Sequence, residues 1–170
     1  MKRNILVCGL ISGTILSVMM VASIAYCYAV QNFEGSMVVG YAAMILAFSL
    51  IFVGIKNFRD KYNGGSVNFG TAFKIGAYIT LIASTMYVLA WLFDYYLFVP
   101  DFMDVYSLKM ISQTKESGAT EQEILDKTAE MASFKEMYKN PFFIILITYA
   151  EVAPIGLVIS LISAWILKKK

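Results

Sequence analysis

One carboxylate, Glu151, stands inside the otherwise charge-free run from Asn140 to Leu167, and Pro154 follows it three residues later. Insertion scales charge roughly 2.5 to 3.5 kcal/mol for an ionised side chain at the centre of a bilayer, so intramembrane acids face a bundle or water and often serve a site. By helical rise Glu151 is about 15 Å from Pro141 and about 25 Å from Lys168, which places it at mid-membrane or somewhat toward the outer half. Its carboxyl is therefore expected to be neutral unless a cation is near. No Lys or Arg of the other apolar runs shares its depth, which leaves Thr14, Ser17, Ser84, Thr85, Tyr87 and Tyr149 as expected partners. Pro154 deprives the carbonyl of Ala150 of its amide donor and is expected to kink the helix. Glu151 with Pro154 is thus the candidate proton or ligand site. The structural alternative is a neutral Glu151 that donates to a freed carbonyl or a facing helix and only stabilises the bend.

The remaining chemistry is sparse. The chain has no histidine, no nucleophile motif and no carboxylate pair within its apolar runs, so no catalytic residue and no enzyme are expected. Cys8 and Cys27 lie on one apolar run, roughly 28 Å apart as a helix, too far to pair. They read as buried thiols, and neither a metal site nor a cofactor is expected. Gly64-Gly65 is a turn signal and not a phosphate loop, because no Gly-Lys-Ser/Thr follows.

The elements that must position Glu151 come from the apolar runs. Residues are 59% hydrophobic and only 15% charged, against about 25% charged in soluble domains, so the chain reads as an integral membrane protein. Asn4 to Phe33, Gly35 to Ile55 and Ile75 to Phe93 carry no charge, and each is long enough to cross a hydrocarbon core as a helix. The expected fold is all-α: one domain over 1–170 with transmembrane helices at about 5–30, 37–56, 70–98 and 141–167. The first run exceeds a signal-peptide core and is read as a retained helix.

Basic residues set the expected orientation. Lys2 and Arg3, then Lys56, Arg59, Lys61 and Lys74, then Lys168 to Lys170 fall in three regions that belong in the cytoplasm by the positive-inside rule, with both termini inside. Glu34 is the one charge of the first outer loop, Gln31 to Ser36. The second, Val99 to Lys139, holds eight acidic and five basic residues. Tyr26, Tyr28, Trp91, Tyr95 and Tyr96 are expected at the outer interface and Trp165 at the inner one. Asp94, beside Trp91 and Tyr95, is expected to reach water.

The second outer loop predicts an amphipathic helical hairpin over about 101–138. Pro100 starts one helix to about Ser117, with Phe102, Val105, Tyr106, Leu108, Met110 and Ile111 on its apolar side, and Gly118 ends it. Thr120-Glu121-Gln122-Glu123 is a capping-box pattern that starts a second helix to about Tyr138, supported by a Glu123–Lys127 pair. Such a hairpin lies on the outer membrane face or over the bundle mouth. Along the long helices, Gly9, Gly13 and Ser17, then Gly76, Thr80 and Ser84, then Gly156, Ser160 and Ala164 recur at four-residue spacing. They form grooves for close helix packing, expected to serve the internal bundle, with a homodimer the other use.

Several stretches resemble a known family. Gly54-Ile55-Lys56-Asn57-Phe58-Arg59-Asp60-Lys61-Tyr62-Asn63-Gly64-Gly65, Pro100-Asp101-Phe102-Met103, Tyr138-Lys139-Asn140-Pro141 and Glu151-Val152-Ala153-Pro154-Ile155-Gly156-Leu157 with the lysine tail are similar to the four-helix membrane proteins catalogued as domain of unknown function forty-one ninety-nine. The resemblance covers nearly the whole chain. It implies a bacterial protein of the inner membrane and carries no activity or catalytic residue with it.

Two functions are expected from the residues. The first is a non-enzymatic scaffold or accessory subunit whose outer hairpin or basic inner loop meets a membrane or periplasmic protein, the bilayer being its constant partner and nucleic acid excluded by the small, dispersed charge of +2. The second is a small proton-coupled carrier using Glu151. A carboxyl sealed among packed apolar side chains would sink the carrier.

Overall fold

Residues 2–30 and 36–169 are described by a computed structural model. The described residues form six α-helices: α1 Lys2–Val30, α2 Ser36–Tyr62, α3 Phe69–Leu97, α4 Phe102–Glu116, α5 Glu121–Met137 and α6 Pro141–Leu167. No named strand is found among the described residues; Val67 and Lys169 form an isolated antiparallel bridge. Helices α1, α2, α3 and α6 are long and apolar enough to cross a membrane, which suggests a multi-pass membrane protein. The Glu34 loop and Lys170 lie outside the described residues.

The chain forms two compact units, Met1–Trp91 with Thr148–Lys170, and Leu92–Ile147. In the first, small residues set how closely the helices approach. A Cβ built on Gly9 would come within 2.9 Å of Ile82, and one on Gly13 within 2.7 Å of the Met86 sulphur, so α1 presses its glycines onto α3. A Cβ on Gly76 would meet Ser160 at 2.7 Å, and one on Gly156 would meet Thr80 at 2.5 Å, so α3 and α6 interlock in the same way. The spacing thus serves the internal bundle, as the sequence suggested. Phe48 and Ile51 of α2 fill the middle and are fully buried.

Hydroxyls and amides tie these contacts together where lipid offers no partner for them. Asn4 donates its side-chain amide to the Gly54 carbonyl at 2.7 Å, and the Ser12 hydroxyl donates to the Ala47 carbonyl at 2.9 Å, joining α1 to α2. The Thr80 and Ser160 hydroxyls lie 3.3 Å apart between α3 and α6, and Ser160 donates to the Gly156 carbonyl one turn back.

Basic residues share one end of this unit. The apolar run of α2 continues as helix through Lys56, Arg59 and Lys61 and breaks at Asn63-Gly64-Gly65, where both glycines take positive φ. The chain then reaches α6: Val67 and Lys169 exchange backbone hydrogen bonds of 3.0 and 2.9 Å. This bridge brings the lysines that close α6 beside those that close α2. Lys168 also lies 5.7 Å over the Trp165 ring.

The second unit is built on a helical hairpin. Gly118, at φ 78°, turns α4 into α5. The capping box at Thr120 forms in full: the Thr120 hydroxyl accepts from the Glu123 amide while the Glu123 carboxylate accepts from the Thr120 amide at 2.7 Å. That carboxylate also accepts from the Thr120 hydroxyl at 2.9 Å, and the two bonds, amide first and hydroxyl second, hold it below its ordinary range. They also correct one expectation. Glu123 is occupied at the cap, and Lys127 pairs at 2.9 Å with Glu130 instead. Lys135 pairs with Asp104 and so joins α5 to α4. Tyr95, Tyr138 and Phe143 stack edge to face at 5.7 and 6.1 Å, with Phe134 adding to Phe143. Met103 and Met131 are buried, whereas Leu108 and Leu125 are 71% and 58% exposed.

Replacing Gly156 by alanine is expected to destabilise the first unit by about 1 to 3 kcal/mol, because the new methyl overlaps Thr80 across a packed interface. Gly70→Ala, whose nearest atom would be Asn68 Oδ1 at 3.6 Å, is the neutral control. Thermal unfolding of the purified protein in detergent checks both, and equal midpoints for the two variants would contradict the packing role.

Candidate functional site

The first unit positions Glu151 through α6. Val152, its neighbour, is fully buried, and Thr148, one turn earlier, is also buried. These two commit the packed face of α6. Glu151 itself is exposed at the protein surface and forms part of the wall of a partly open cavity of about 220 Å³. The carboxyl is therefore not sealed within packed side chains.

All four long helices supply the wall. From α1 come Leu16, Met20 and Cys27 among others; from α2 Gly40, Tyr41 and Met44; from α3 Tyr87; and from α6 Glu151. The wall is mostly apolar, with Glu151 its only formally charged side chain. It occupies the second half of α1 and the first half of α2. The basic end of the unit is formed by the opposite halves of those helices.

The expected hydroxyl partners divide. Tyr87 shares the cavity wall with Glu151. Thr85 and Tyr149 bond each other at 2.7 Å, and Thr85 also donates to the Leu81 carbonyl. Ser17 and Ser84 have buried oxygens with no hydrogen-bond partner, so neither one satisfies Glu151. Thr14 is exposed. Pro154 lies inside an α6 that stays helical from end to end, three residues past the carboxyl and exposed.

One expectation at the end of α3 is corrected. Asp94 does not reach water: it is 6% exposed, and its Oδ2 has no hydrogen-bond partner. At this helix end the Asp94 carbonyl accepts from both the Phe98 and Val99 amides, and Val99 is itself buried, so the turn that follows α3 is packed and not open to solvent. Trp91 is likewise buried, whereas Tyr26, Tyr96 and Trp165 are exposed. Cys8 and Cys27 are both buried, and no disulfide joins them. Among the described residues no group of His, Cys, Asp and Glu is arranged to hold a metal ion.

Gly40, Tyr41 and the methionines of the wall were not singled out by sequence reasoning. A signal existed. Leu16, Met20 and Cys27 recur at the spacing of one helix face, and Gly40 and Met44 are one turn apart on the next helix. That pattern alone is indistinguishable from ordinary lipid-facing or core periodicity, which is why it points nowhere until Glu151 is placed beside it.

The arrangement puts a carboxyl beside a small, mostly apolar space, and Ser17 and Ser84, each one turn from a residue of that wall, are buried without hydrogen-bond partners. An unsatisfied buried hydroxyl costs about 1 to 3 kcal/mol. Ser84→Ala is accordingly expected to raise stability by about 1 kcal/mol in thermal unfolding, and a loss of stability would show that the hydroxyl has a partner. No curated protein and no solved structure matches the chain. The sequence pattern of the family described as protein of unknown function (DUF4199) does match, over residues 8–169, and with nearly its whole length covered the chain belongs to that family.

Proposed function

We propose that this protein is a non-enzymatic, multi-pass protein of a bacterial inner membrane with both termini in the cytoplasm, and that it works as a small proton-coupled carrier at Glu151. The observation that carries the reading is the placement of the Glu151 carboxyl on the wall of an open cavity instead of inside the packed bundle. The clustering of basic residues at one end of the four-helix unit supports the orientation.

In this reading a neutral Glu151 loses its proton to water as a ligand enters. The O–H bond breaks, the carboxylate takes the ligand, and reprotonation from the opposite side releases it. Pro154 supplies a point where α6 lacks one backbone hydrogen bond and can flex.

Purified protein in vesicles, challenged with cationic, neutral and anionic amphiphiles under a pH-sensitive dye, tests it. At least one class is expected to release protons, and Glu151→Gln is expected to abolish the release. Silence from every class would overturn the carrier.

A second reading, an accessory subunit that meets a membrane or periplasmic protein, is favoured by the exposure of Leu108 and Leu125 on the hairpin. Photo-crosslinkers placed at those two positions in intact cells are expected to capture one discrete protein. Adducts with lipid alone would contradict that role.

A further inference from the structure

Gly40 is unlike the helical glycines that hold the bundle together. At Gly9, Gly13, Gly54, Gly76 and Gly156 an added Cβ would strike a neighbouring helix at 2.9 Å or less. At Gly40 it would meet nothing within 4 Å, and the residue does not take a positive φ. Neither close packing nor backbone conformation calls for glycine there, and glycine weakens a helix interior. What its missing side chain does provide is space, because Gly40 is part of the wall that holds Glu151.

We propose that the Glu151 cavity takes a monovalent amphiphilic cation, a hydrophobic amine or onium with a small apolar body, and that Gly40 keeps the room for that body. The proposal rests on the reading that this cavity is the working site and adds the class of its ligand.

Size, charge and lining agree on that class. A dry cavity of about 150 Å³ accepts benzene, so about 220 Å³ accommodates one ring or a short chain with its charged head. That is smaller than the roughly 300 to 1,000 Å³ of sites for drug-sized ligands. The wall bears one carboxyl and no Lys or Arg, so a single positive charge is what would balance it. Its other titratable groups are Cys27 from α1, Tyr41 from α2 and Tyr87 from α3, none of which supplies a cation. The two phenol rings offer π faces to an ammonium. Met19, Met20 and Met44 are unbranched and polarisable, which lets the wall conform to varied apolar shapes. An anion would have to enter beside Glu151 with no positive partner, and an uncharged apolar molecule would gain nothing from the carboxyl.

Equilibrium binding to the purified protein in vesicles tests this with three probes of one shape: benzyltrimethylammonium, its uncharged carbon isostere neopentylbenzene, and benzylsulfonate. The wild type is expected to hold the cation at least about tenfold more tightly than either other probe. Glu151→Gln should remove that preference while leaving the neutral probe unchanged. Gly40→Leu should weaken cation and neutral probe alike, and Gly40→Ala should fall between it and wild type, with unaltered helical circular dichroism in both. Equal binding of all three probes, or wild-type binding in both Gly40 variants, would overturn the proposal. Cation binding without proton release would count against the carrier alone; proton release by the anionic or neutral probe only would count against this ligand class and leave the carrier standing.

Discussion

Everything in the four-helix unit depends on how closely backbones approach one another. Between helices in lipid there is no hydrophobic drive to associate, so adhesion comes from dispersion over closely matched surfaces and from a few hydrogen bonds. Gly9 and Gly13 fix α1 against α3, and Gly76 and Gly156 fix α3 against α6. With those registers set, the direction in which each remaining side chain projects is set too. Val152 turns into the packed interior and Glu151 away from it, one residue apart on the same helix. The carboxyl thus owes its access to contacts made elsewhere along α6.

Polar groups inside this unit follow the same economy. Ser12, Thr80 and Ser160 are buried and bonded, Ser12 to a carbonyl of the neighbouring helix and Ser160 to one of its own preceding turn. Ser17 and Ser84 break the pattern, each a buried oxygen without a partner. Ser17 is one turn from Met20 and Ser84 one turn from Tyr87, and both of those residues belong to the cavity wall. Unsatisfied polarity in the unit therefore gathers, along the helices, just before the residues that surround Glu151.

Much of this was legible from residue types and spacing because the underlying causes are local. Charge-free runs long enough to span a bilayer, an Asn-Gly-Gly break, a Thr-x-x-Glu cap and small residues every fourth position each act within a turn or two, and each appears where the sequence placed it. Where reading failed, the cause was non-local or competitive. Glu123 had two possible uses, and the backbone amide of Thr120 took it from Lys127. Asp94 was placed by its distance along α3, which says nothing of how the turn after Leu97 packs. The cavity itself was invisible for a related reason: it exists only where faces of four helices meet, and no single helix records it.

The Val67–Lys169 bridge links the turn after α2 to the residue just past the end of α6. A pairing of this kind can close only once α6 has been synthesised and inserted, long after the turn after α2 has left the ribosome. Until then the amide and carbonyl of Val67 depend on water or on lipid headgroups for partners. Closing the bridge is thus a late step in biogenesis, a clasp that reports that the last span has found the turn between the second and third.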